Sequence, residues 1–331
     1  MSVILKEKVD ASIAWRGIDL QNRDTWLTWL TPTILEAFDQ ALQGVKAKGL
    51  SAPNFGKADF VLPPVVVEEI DALFSDELEN GRGFLLVRGL DASQYTEEEL
   101  TIIYYGLGLH MGTPVTQNEK GDLLGAVQAV GDPSKKSTRV YETNEYLDYH
   151  TDLSDVVGLL SIRKAKKGGL SSVVSIAALY NEILEKHPEY LALLYRPIYF
   201  DHLGDELPTL SPIFSHYDGK LTCRYLRKYI EIGQERRELP LSNVEREMLD
   251  LIDSIIGNQD VHLDMMLEPG DMQFANNYAV FHSRTGFEDY DEPERRRKLL
   301  RLWLKMPNAR KLAPDFPGRN GIPKRDKLPS Y

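Results

Sequence analysis

From about residue 123 onward the chain consists of short segments rich in β-branched and aromatic residues, and this pattern restricts the fold more than any other feature. Segments such as LLGAVQAVG, VVGLLSIRKA and DMQFANNYAVFHSRT are separated by turn signals that include GDP, KKGG, HYDGK and EPGD. Glycine, proline, asparagine and aspartate between apolar runs mark turns. Because many short strands must close or stack to protect their edges, the pattern predicts an α+β fold with an antiparallel barrel or jelly roll flanked by helices.

The first 120 residues have a different character, typical of helices. TWLTWLTPTILEAFDQALQGVKAKG and PPVVVEEIDALFSDELENGRG predict two helices, and TEEELTIIYYGLGLHMG predicts a third with Thr96 as its N-cap and Glu99 three residues later. GFLLVRGL, between the second and third, predicts a buried strand. Neither an internal repeat nor a long linker interrupts the chain. We therefore expect a single domain with a helical layer and the first strands at 1–120, a core barrel with a helical insert at 121–310, and a C-terminal tail at 311–331.

Composition excludes several classes of protein. The 331 residues carry a formal net charge of −11, which argues against nucleic acid or an anionic membrane surface as the main partner. A single cysteine, Cys223, excludes an internal disulfide framework and a multi-cysteine zinc site. The first residues do not resemble a secretory signal, and no apolar run reaches the roughly 20 residues of a membrane helix. The sequence thus predicts a cytoplasmic protein that binds neither nucleic acid nor membrane.

Three His-x-Asp triplets are candidates for part of a metal site: 150–152, 216–218 and 262–264. Side chains two residues apart project from the same face of a strand, so each triplet could supply two ligands. Asp218 precedes Gly219 and is typical of a hairpin turn. The third triplet alternates with apolar residues, as in a strand with one wet face. The triplets alone leave the choice open, and the rest of the chain favours the first.

Two residues far downstream complete a candidate site with His150 and Asp152. His282 lies in FANNYAVFHSRT, and Arg301 stands between leucines in LLRLWL. An unpaired charge in a core is costly, so a buried arginine requires an anionic partner. Two histidines and a carboxylate on one face of a metal suit non-haem Fe(II) and oxygen chemistry. The arginine could then hold a carboxylate of a chelating 2-oxo acid through a bidentate pair.

With these residues in place, the sequence resembles the taurine dioxygenase (TauD/TfdA-like) family of Fe(II)/2-oxoglutarate-dependent oxygenases. The matching stretches are GRGFLLVRGL (81–90), LGLHMGTPVTQN (107–118), YHTDLSDVVGLLSIRKAKKGGLSS (149–172), EPGDMQFANNYAVFHSRTGFED (268–289) and RRRKLLRLWL (295–304). They extend over most of the chain. The resemblance implies a double-stranded β-helix core of the jelly-roll, cupin-like kind.

The resemblance also implies roles for individual residues. By position, the iron ligands would be His150, Asp152 and His282. Arg301 would pair with the distal carboxylate of 2-oxoglutarate, Ser171 falls where the family has a Thr or Ser on the same carboxylate, and Arg297 falls at a second arginine near the co-substrate. Asn276 and Asn277 are candidates to support His282. Arg284 either faces the site or pairs with a nearby acidic residue.

The reaction implied is oxidation of a substrate C–H bond with O2, coupled to decarboxylation of 2-oxoglutarate to succinate and CO2. Hydroxylation is the basic outcome, with desaturation or cyclisation as variants. Because Asp152 is present, no coordination position is left for a halide, and halogenation is not expected. The chain also lacks the Cys-rich zinc module of the relatives that act on butyrobetaine.

The sequence restricts the identity of the substrate less than it restricts the type of reaction. Polar residues upstream of the first triplet are candidates to contact it: Gln117, Asn118, Arg139, Tyr141, Asn144 and Tyr146. They favour a small polar molecule such as an amino acid or a carboxylic acid. Two other classes stay open. A cupin-like metal-dependent hydrolase or isomerase would not need Arg301 and Ser171, and a non-catalytic metal-binding protein would usually have lost a ligand. The oligomeric state is also open.

Overall fold

The computed structural model describes residues 1–22, 25–131, 142–201, 207–318 and 320–324. Its helices are α1 (Pro32–Ala47), α2 (Pro64–Ser75), α3 (Glu97–Met111), α4 (Ile176–Lys186), α5 (Leu191–Leu194), α6 (Arg227–Arg236) and α7 (Asn243–Ile256). None of the helices in the described ranges combines the length and the apolar character needed to cross a bilayer.

The strands are short, as the turn signals predicted. They are β1 (Leu27–Trp29), β2 (Phe84–Arg88), β3 (Thr113–Pro114), β4 (Leu124–Val127), β5 (Leu147–His150), β6 (Val156–Arg163), β7 (Lys167–Gly168), β8 (Ser171–Ser175), β9 (Ile198–Phe200), β10 (Thr209–Ser211), β11 (Phe214–Tyr217), β12 (Lys220–Cys223), β13 (Leu263–Met265), β14 (Met272–Asn276), β15 (Val280–Arg284), β16 (Phe287–Glu288) and β17 (Lys298–Lys305).

Two sheets form the centre of the molecule. The larger sheet has the order β1-β2-β14-β6-β17-β3, and β4 also pairs with β17. The smaller sheet has the order β13-β8-β15-β5, with every pair antiparallel. Side chains from both sheets share one apolar cluster, to which β6 and β17 contribute Val157 and Trp303 and to which β8 contributes Val173. The sheets therefore pack face to face, and their inner surfaces enclose the space in which the predicted site residues lie.

Strand β17 shows how the alternation of the sequence separates two environments. Leu300, Leu302 and Leu304 belong to the apolar cluster that contains the buried faces of α1, α2 and α3. Leu299 and Trp303 belong to the cluster between the sheets. Successive side chains of a strand point to opposite faces, so Arg301 has the same parity as Leu299 and Trp303 and turns toward the inside of the sandwich. The other parity of β17, that of Leu300, Leu302 and Leu304, packs with α1, α2 and α3.

Local signals account for the helix and hairpin boundaries. The Thr96 hydroxyl accepts a hydrogen bond from the Glu99 N–H, and the Glu99 carboxylate accepts one from the Thr96 N–H, which is the predicted capping box of α3. The hairpin between β11 and β12 turns at Asp218 and Gly219, with φ of 49° and 75°. Two consecutive positive φ angles are what a tight type I′ turn requires. Asp218 is therefore a turn residue, as the sequence predicted.

Helix α6 was not predicted. Its sequence, RKYIEIGQER, is short and strongly polar, and its buried residues are Ile230, Gly233 and Gln234. A Cβ at Gly233 would lie 2.5 Å from the Tyr199 carbonyl oxygen, so the glycine allows the helix to approach β9 closely. Contact with β9, and not the helix's own amphipathic pattern, holds this helix in place.

Replacing Leu302 with alanine tests the packing between β17 and α3. Leu302 is completely buried, so we expect the Leu302→Ala variant to lose about 2–5 kcal/mol of unfolding free energy through the lost transfer energy and the cavity left behind. Urea unfolding measures the change. The matched control is Leu239→Ala, at a leucine that is 53% exposed, which should stay within about 0.5 kcal/mol of the unsubstituted protein. Equal losses at both positions would contradict the packing described.

Candidate active site

Three predicted ligands meet at one edge of the smaller sheet. His150 ends β5, and its cross-strand partner in β15 is His282. The two imidazole centroids are 4.3 Å apart. Asp152 follows β5 by two residues, and one ligand atom from each of the three side chains lies within 4.8 Å of the others. Within the described ranges, no other three His, Cys, Asp or Glu side chains converge in this way.

Hydrogen bonds fix the orientation of each member of the triad. The Nδ1 atom of His150 lies 2.7 Å from the Asp148 carbonyl, which makes Nδ1 the donor and leaves Nε2 as a free lone pair. The Asn277 carbonyl oxygen accepts the Asp152 N–H at 2.9 Å and lies 3.2 Å from His282 Nε2. Asn277 thus links the elements that carry two of the ligands. Its own amide donates to the Ser154 carbonyl at 3.0 Å.

The protonation states of the triad suit a divalent metal. Burial raises the pKa of Asp152. The combined effect of His282, His150, Arg301 and the Trp303 indole lowers this pKa by more, so the net shift is downward. Burial and the neighbouring His150 lower the pKa of His282 to about 3. Asp152 is therefore a carboxylate and His282 a neutral imidazole at neutral pH. Metal ions bind these forms without first displacing a proton.

Among the described residues, no third ligand joins either of the other two His-x-Asp triplets. The Nε2 atom of His262 is 3.8 Å from the Asp264 carboxylate. Asp218 forms an exposed ion pair with Lys311 at 3.1 Å and occupies the hairpin turn described above. The remaining histidines, His110 and His187, lie in or at the end of α3 and α4 respectively, and His202 lies outside the described residues.

A cavity of about 900 Å³ opens onto the triad. Between the sheets its wall consists of polar and apolar side chains that include Ser171, Gln273, Arg284, Arg297, Leu299 and Arg301. On α6 and in the segment before it, the wall includes Arg224, Tyr225, Lys228, Tyr229 and Glu235. The first group forms what we call the inner end and the second the outer end. A cavity of this size accommodates two small molecules beside a metal ion.

Two arginines at the inner end have unused hydrogen-bond donors. Arg284 and Arg297 both lie against the Phe287 ring, with guanidinium carbons 4.8 and 5.2 Å from its centroid. Nε and Nη1 of Arg284 and Nη1 of Arg297 are buried without a hydrogen-bond partner. Burial lowers the pKa of Arg284 to about 10, and burial together with repulsion from Arg284 lowers that of Arg297 to about 9. Buried donors without acceptors are costly, and an anion at this position would satisfy them.

Ser171 lies beside these arginines, and Arg301 lies further along β17 toward the triad. Ser171 pairs with Arg284 across β8 and β15, and its hydroxyl donates to Gln273 at 2.6 Å. Arg301 donates from Nε to Gln117 at 2.7 Å, and its guanidinium lies 4.8 Å from the Trp303 ring centroid. The inner end therefore contains all three residues predicted to bind the co-substrate, together with Arg284.

Of the six predicted substrate contacts, Asn118 lines the cavity. Gln117 does not, because both ends of its buried amide are used: the oxygen accepts from Arg301, and the nitrogen donates to the Arg301 and Leu123 carbonyls. Asn144 bonds the Phe287 carbonyl at 3.2 Å, and Tyr146 is half exposed away from the cavity. None of these three residues lines the cavity, and their contact with a substrate stays a prediction. Positions 139 and 141 lie outside the described residues.

Several cavity residues were not predicted. Arg224 and Tyr225 lie between β12 and α6, and Lys228, Tyr229 and Glu235 lie on α6. Because α6 was not predicted, these residues were not found. Trp303 was also missed, although the parity of β17 places it on the same side as Arg301. Its indole N–H donates to Asp152 Oδ2 at 2.9 Å.

Comparisons with known proteins agree with this site. The family described as "Taurine catabolism dioxygenase TauD, TfdA family" matches residues 47–303. FR-33289 synthase from Streptomyces rubellomurinus is 31% identical over 320 residues, covering 94% of each chain. Taurine hydroxylase-like protein SAT17 from Stachybotrys chartarum is 27% identical over 324 residues, covering 91% of this chain and 80% of the relative.

Solved structures share the fold at low sequence identity. An asparagine oxygenase in complex with Fe(II), 2S,3S-3-hydroxyasparagine and succinate has a TM-score of 0.66 and 14% identity, covering 84% of this chain and 93% of that one. The non-heme iron oxygenase OrfP in complex with Fe and alpha-ketoglutaric acid has a TM-score of 0.58 and 18% identity, covering 84% and 94%. The predicted jelly-roll fold is thereby confirmed. The family match and the 31% identity together show that the chain belongs to the TauD/TfdA family of Fe(II)/2-oxoglutarate-dependent dioxygenases.

Proposed function

We propose that His150, Asp152 and His282 bind Fe(II) in this protein, and that the enzyme uses 2-oxoglutarate and O2 to oxidise a C–H bond of a small polar molecule. The observation that carries the proposal is the convergence of these three side chains on a cavity whose inner end holds buried arginines with unused donors. A cupin-like hydrolase or isomerase would have no use for such an anion site. The donor set of two imidazoles and one carboxylate fits Fe(II) and leaves positions open for other ligands.

Fe(II) and 2-oxoglutarate, when bound, supply the activation of O2 and the oxidative decarboxylation that yields succinate and CO2. The protein's own part is to hold and orient the metal ligands. The two strands carrying His150 and His282 fix the imidazoles, while Asn277 and Trp303 fix the carboxylate. Apolar side chains between the sheets limit access of water to the inner end: Val127, Leu159, Leu267, Ala275 and Leu299. Exclusion of water directs the oxidation to the bound substrate.

We further propose that the inner end holds the distal carboxylate of 2-oxoglutarate. The sequence favoured Arg301 for this carboxylate, with Ser171 beside it and Arg297 as a second arginine. The unused donors belong to Arg284 and Arg297, which favours Arg297 as the main partner of the distal carboxylate. Arg301, already engaged by Gln117, lies on β17 between Arg297 and Trp303 and would contribute positive charge closer to the metal.

The outer end would hold the substrate. Arg224 is buried there, and its guanidinium lies 5.2 Å from the Phe316 ring centroid and donates to the Pro317 carbonyl. A buried arginine in the wall suits a carboxylate on the substrate. Similar solved oxygenases are complexes with 3-hydroxyasparagine and with (3S)-hydroxy-L-Arg, which supports an amino acid or a related carboxylic acid as the substrate. Hydroxylation is the outcome we propose, with desaturation or cyclisation as variants.

The proposal also covers the domain organisation and the cellular location of the protein. We propose that the chain is one oxygenase domain, in which α1, α2 and α3 form the N-terminal helical layer on the larger sheet. The apolar cluster shared by these helices with β6, β14 and β17 supports this arrangement. The net charge of −11 and the single buried cysteine favour a cytoplasmic enzyme that does not bind nucleic acid.

Single alanine substitutions of the proposed ligands and of two other histidines test the choice of ligands. His150→Ala, Asp152→Ala and His282→Ala should each abolish succinate formation, because each removes a ligand. The matched controls, His216→Ala and His262→Ala, should bind Fe(II) as tightly as the unsubstituted protein in anaerobic calorimetry. Loss of iron binding in His262→Ala, with retention in His150→Ala, would overturn the assignment.

Paired arginine variants test the binding of the co-substrate. We expect Arg297→Ala to raise the KM for 2-oxoglutarate by at least about 30-fold, because truncating one side of a buried charged pair costs about 2–5 kcal/mol. Arg301→Ala should raise this KM less. Initial rates of succinate release at varied 2-oxoglutarate measure both effects. A larger effect in Arg301→Ala would return the distal carboxylate to Arg301.

A further inference from the structure

We infer that Trp303 is a positioning residue for the metal: its indole N–H holds one oxygen of Asp152 and so favours the other oxygen as the metal ligand. The inference rests on the proposed iron site. It adds to that site a residue that acts on the metal through Asp152.

The hydrogen bond between Trp303 and Asp152 is short and lies inside the protein. Trp303 is 4% exposed and lies inside the sandwich, and its Nε1–H donates to Asp152 Oδ2 at 2.9 Å. The other carboxylate oxygen, Oδ1, lies 3.7 Å from His150 Nε2, and Oδ2 itself lies 3.7 Å from His282 Nε2, so both oxygens face the triad. At the opposite end of the residue, the Asp152 N–H is held by Asn277 at 2.9 Å. Asp152 is thus fixed both at its backbone and at the tip of its side chain.

Fixing one oxygen has a consequence for coordination. A carboxylate with two free oxygens can bind a metal through both, and it then occupies two positions in place of one. The proposed reaction would need the coordination positions that three monodentate protein ligands leave open for 2-oxoglutarate and O2. A hydrogen bond that engages Oδ2 favours coordination through Oδ1 alone and keeps those positions available.

The chemistry of tryptophan suits this task. An indole N–H is a donor only and does not titrate in the ordinary pH range, so Oδ2 is always offered a hydrogen. The ring is itself held, because the Arg301 guanidinium lies 4.8 Å from its centroid, and Arg301 is bonded to Gln117. The alternative is that Trp303 only fills the core and that Asp152 happens to satisfy its N–H. That alternative predicts an effect on stability and none on metal binding.

The variant Trp303→Phe separates these interpretations, because it keeps an aromatic ring in the core and removes the donor. Loss of an outer hydrogen bond to a metal ligand typically weakens metal binding by about 10- to 100-fold. We expect this change in the Fe(II) dissociation constant, measured by anaerobic calorimetry on the full chain without 2-oxoglutarate. Trp26→Phe is the matched control, since Trp26 is equally buried and its indole N–H donates at 2.9 Å to the Leu20 carbonyl, away from the triad. It should bind Fe(II) as the unsubstituted protein does.

A second variant keeps the test decisive if Trp303→Phe does not fold. Benzothienylalanine at position 303 has the shape of tryptophan with sulfur in place of the N–H, so it preserves packing and removes only the donor. It should show the same 10- to 100-fold weakening. A dissociation constant within twofold of that of the unsubstituted protein, in either folded variant, would overturn the inference.

Failure of the proposed function has a different signature. If the unsubstituted protein binds Fe(II) but gives no visible charge-transfer band with 2-oxoglutarate, the oxygenase site itself is wrong. If that band forms normally and the variants at position 303 bind Fe(II) unchanged, only the role of Trp303 is wrong.

Discussion

The pairing of His282 with His150 across β15 and β5 is the constraint on which the rest of the site depends. Side chains alternate along a strand, so a slip of one residue in this register would turn His282 to the outer face of the sheet. On its other side β15 is paired with β8 over five consecutive residues, from Val280 opposite Ser175 to Arg284 opposite Ser171. The same register therefore positions the proposed ligand His282 and, two residues later on the same face, Arg284.

The electrostatics of the cavity follow from its position between the sheets. Four buried arginines line it: Arg224, Arg284, Arg297 and Arg301. Among the described residues of the wall, the Asp152 side chain is 12% exposed, whereas Glu119, Asp148 and Glu235 are exposed. Burial disfavours the charged form of two of these arginines, as their lowered pKa values show. A folded chain keeps such charges inside only at a cost in stability, and anionic ligands offset that cost.

The sequence was sufficient for the triad and for the fold class, but not for the full wall of the cavity. Turn signals and short apolar segments predicted the strands, and motif resemblance selected the triplet at 150–152 from three. Parity along β17 was enough to turn Arg301 inward. Helix α6 was missed because its burial depends on contact with β9. The sequence left Arg284 open between the site and an ion pair, and it missed Trp303, because these contacts depend on distances between β15, β17 and the segment after β5, which no local pattern encodes.

The most direct test of the account is an anaerobic titration of the metal-free protein with Fe(II) and then 2-oxoglutarate, monitored by visible absorption. We predict that a metal-to-ligand charge-transfer band appears as 2-oxoglutarate binds, because Fe(II) and 2-oxoglutarate would share one site beside the arginines of the inner end. Binding of Fe(II) without the band would contradict the account, and a cupin-like hydrolase or isomerase would then be the better description.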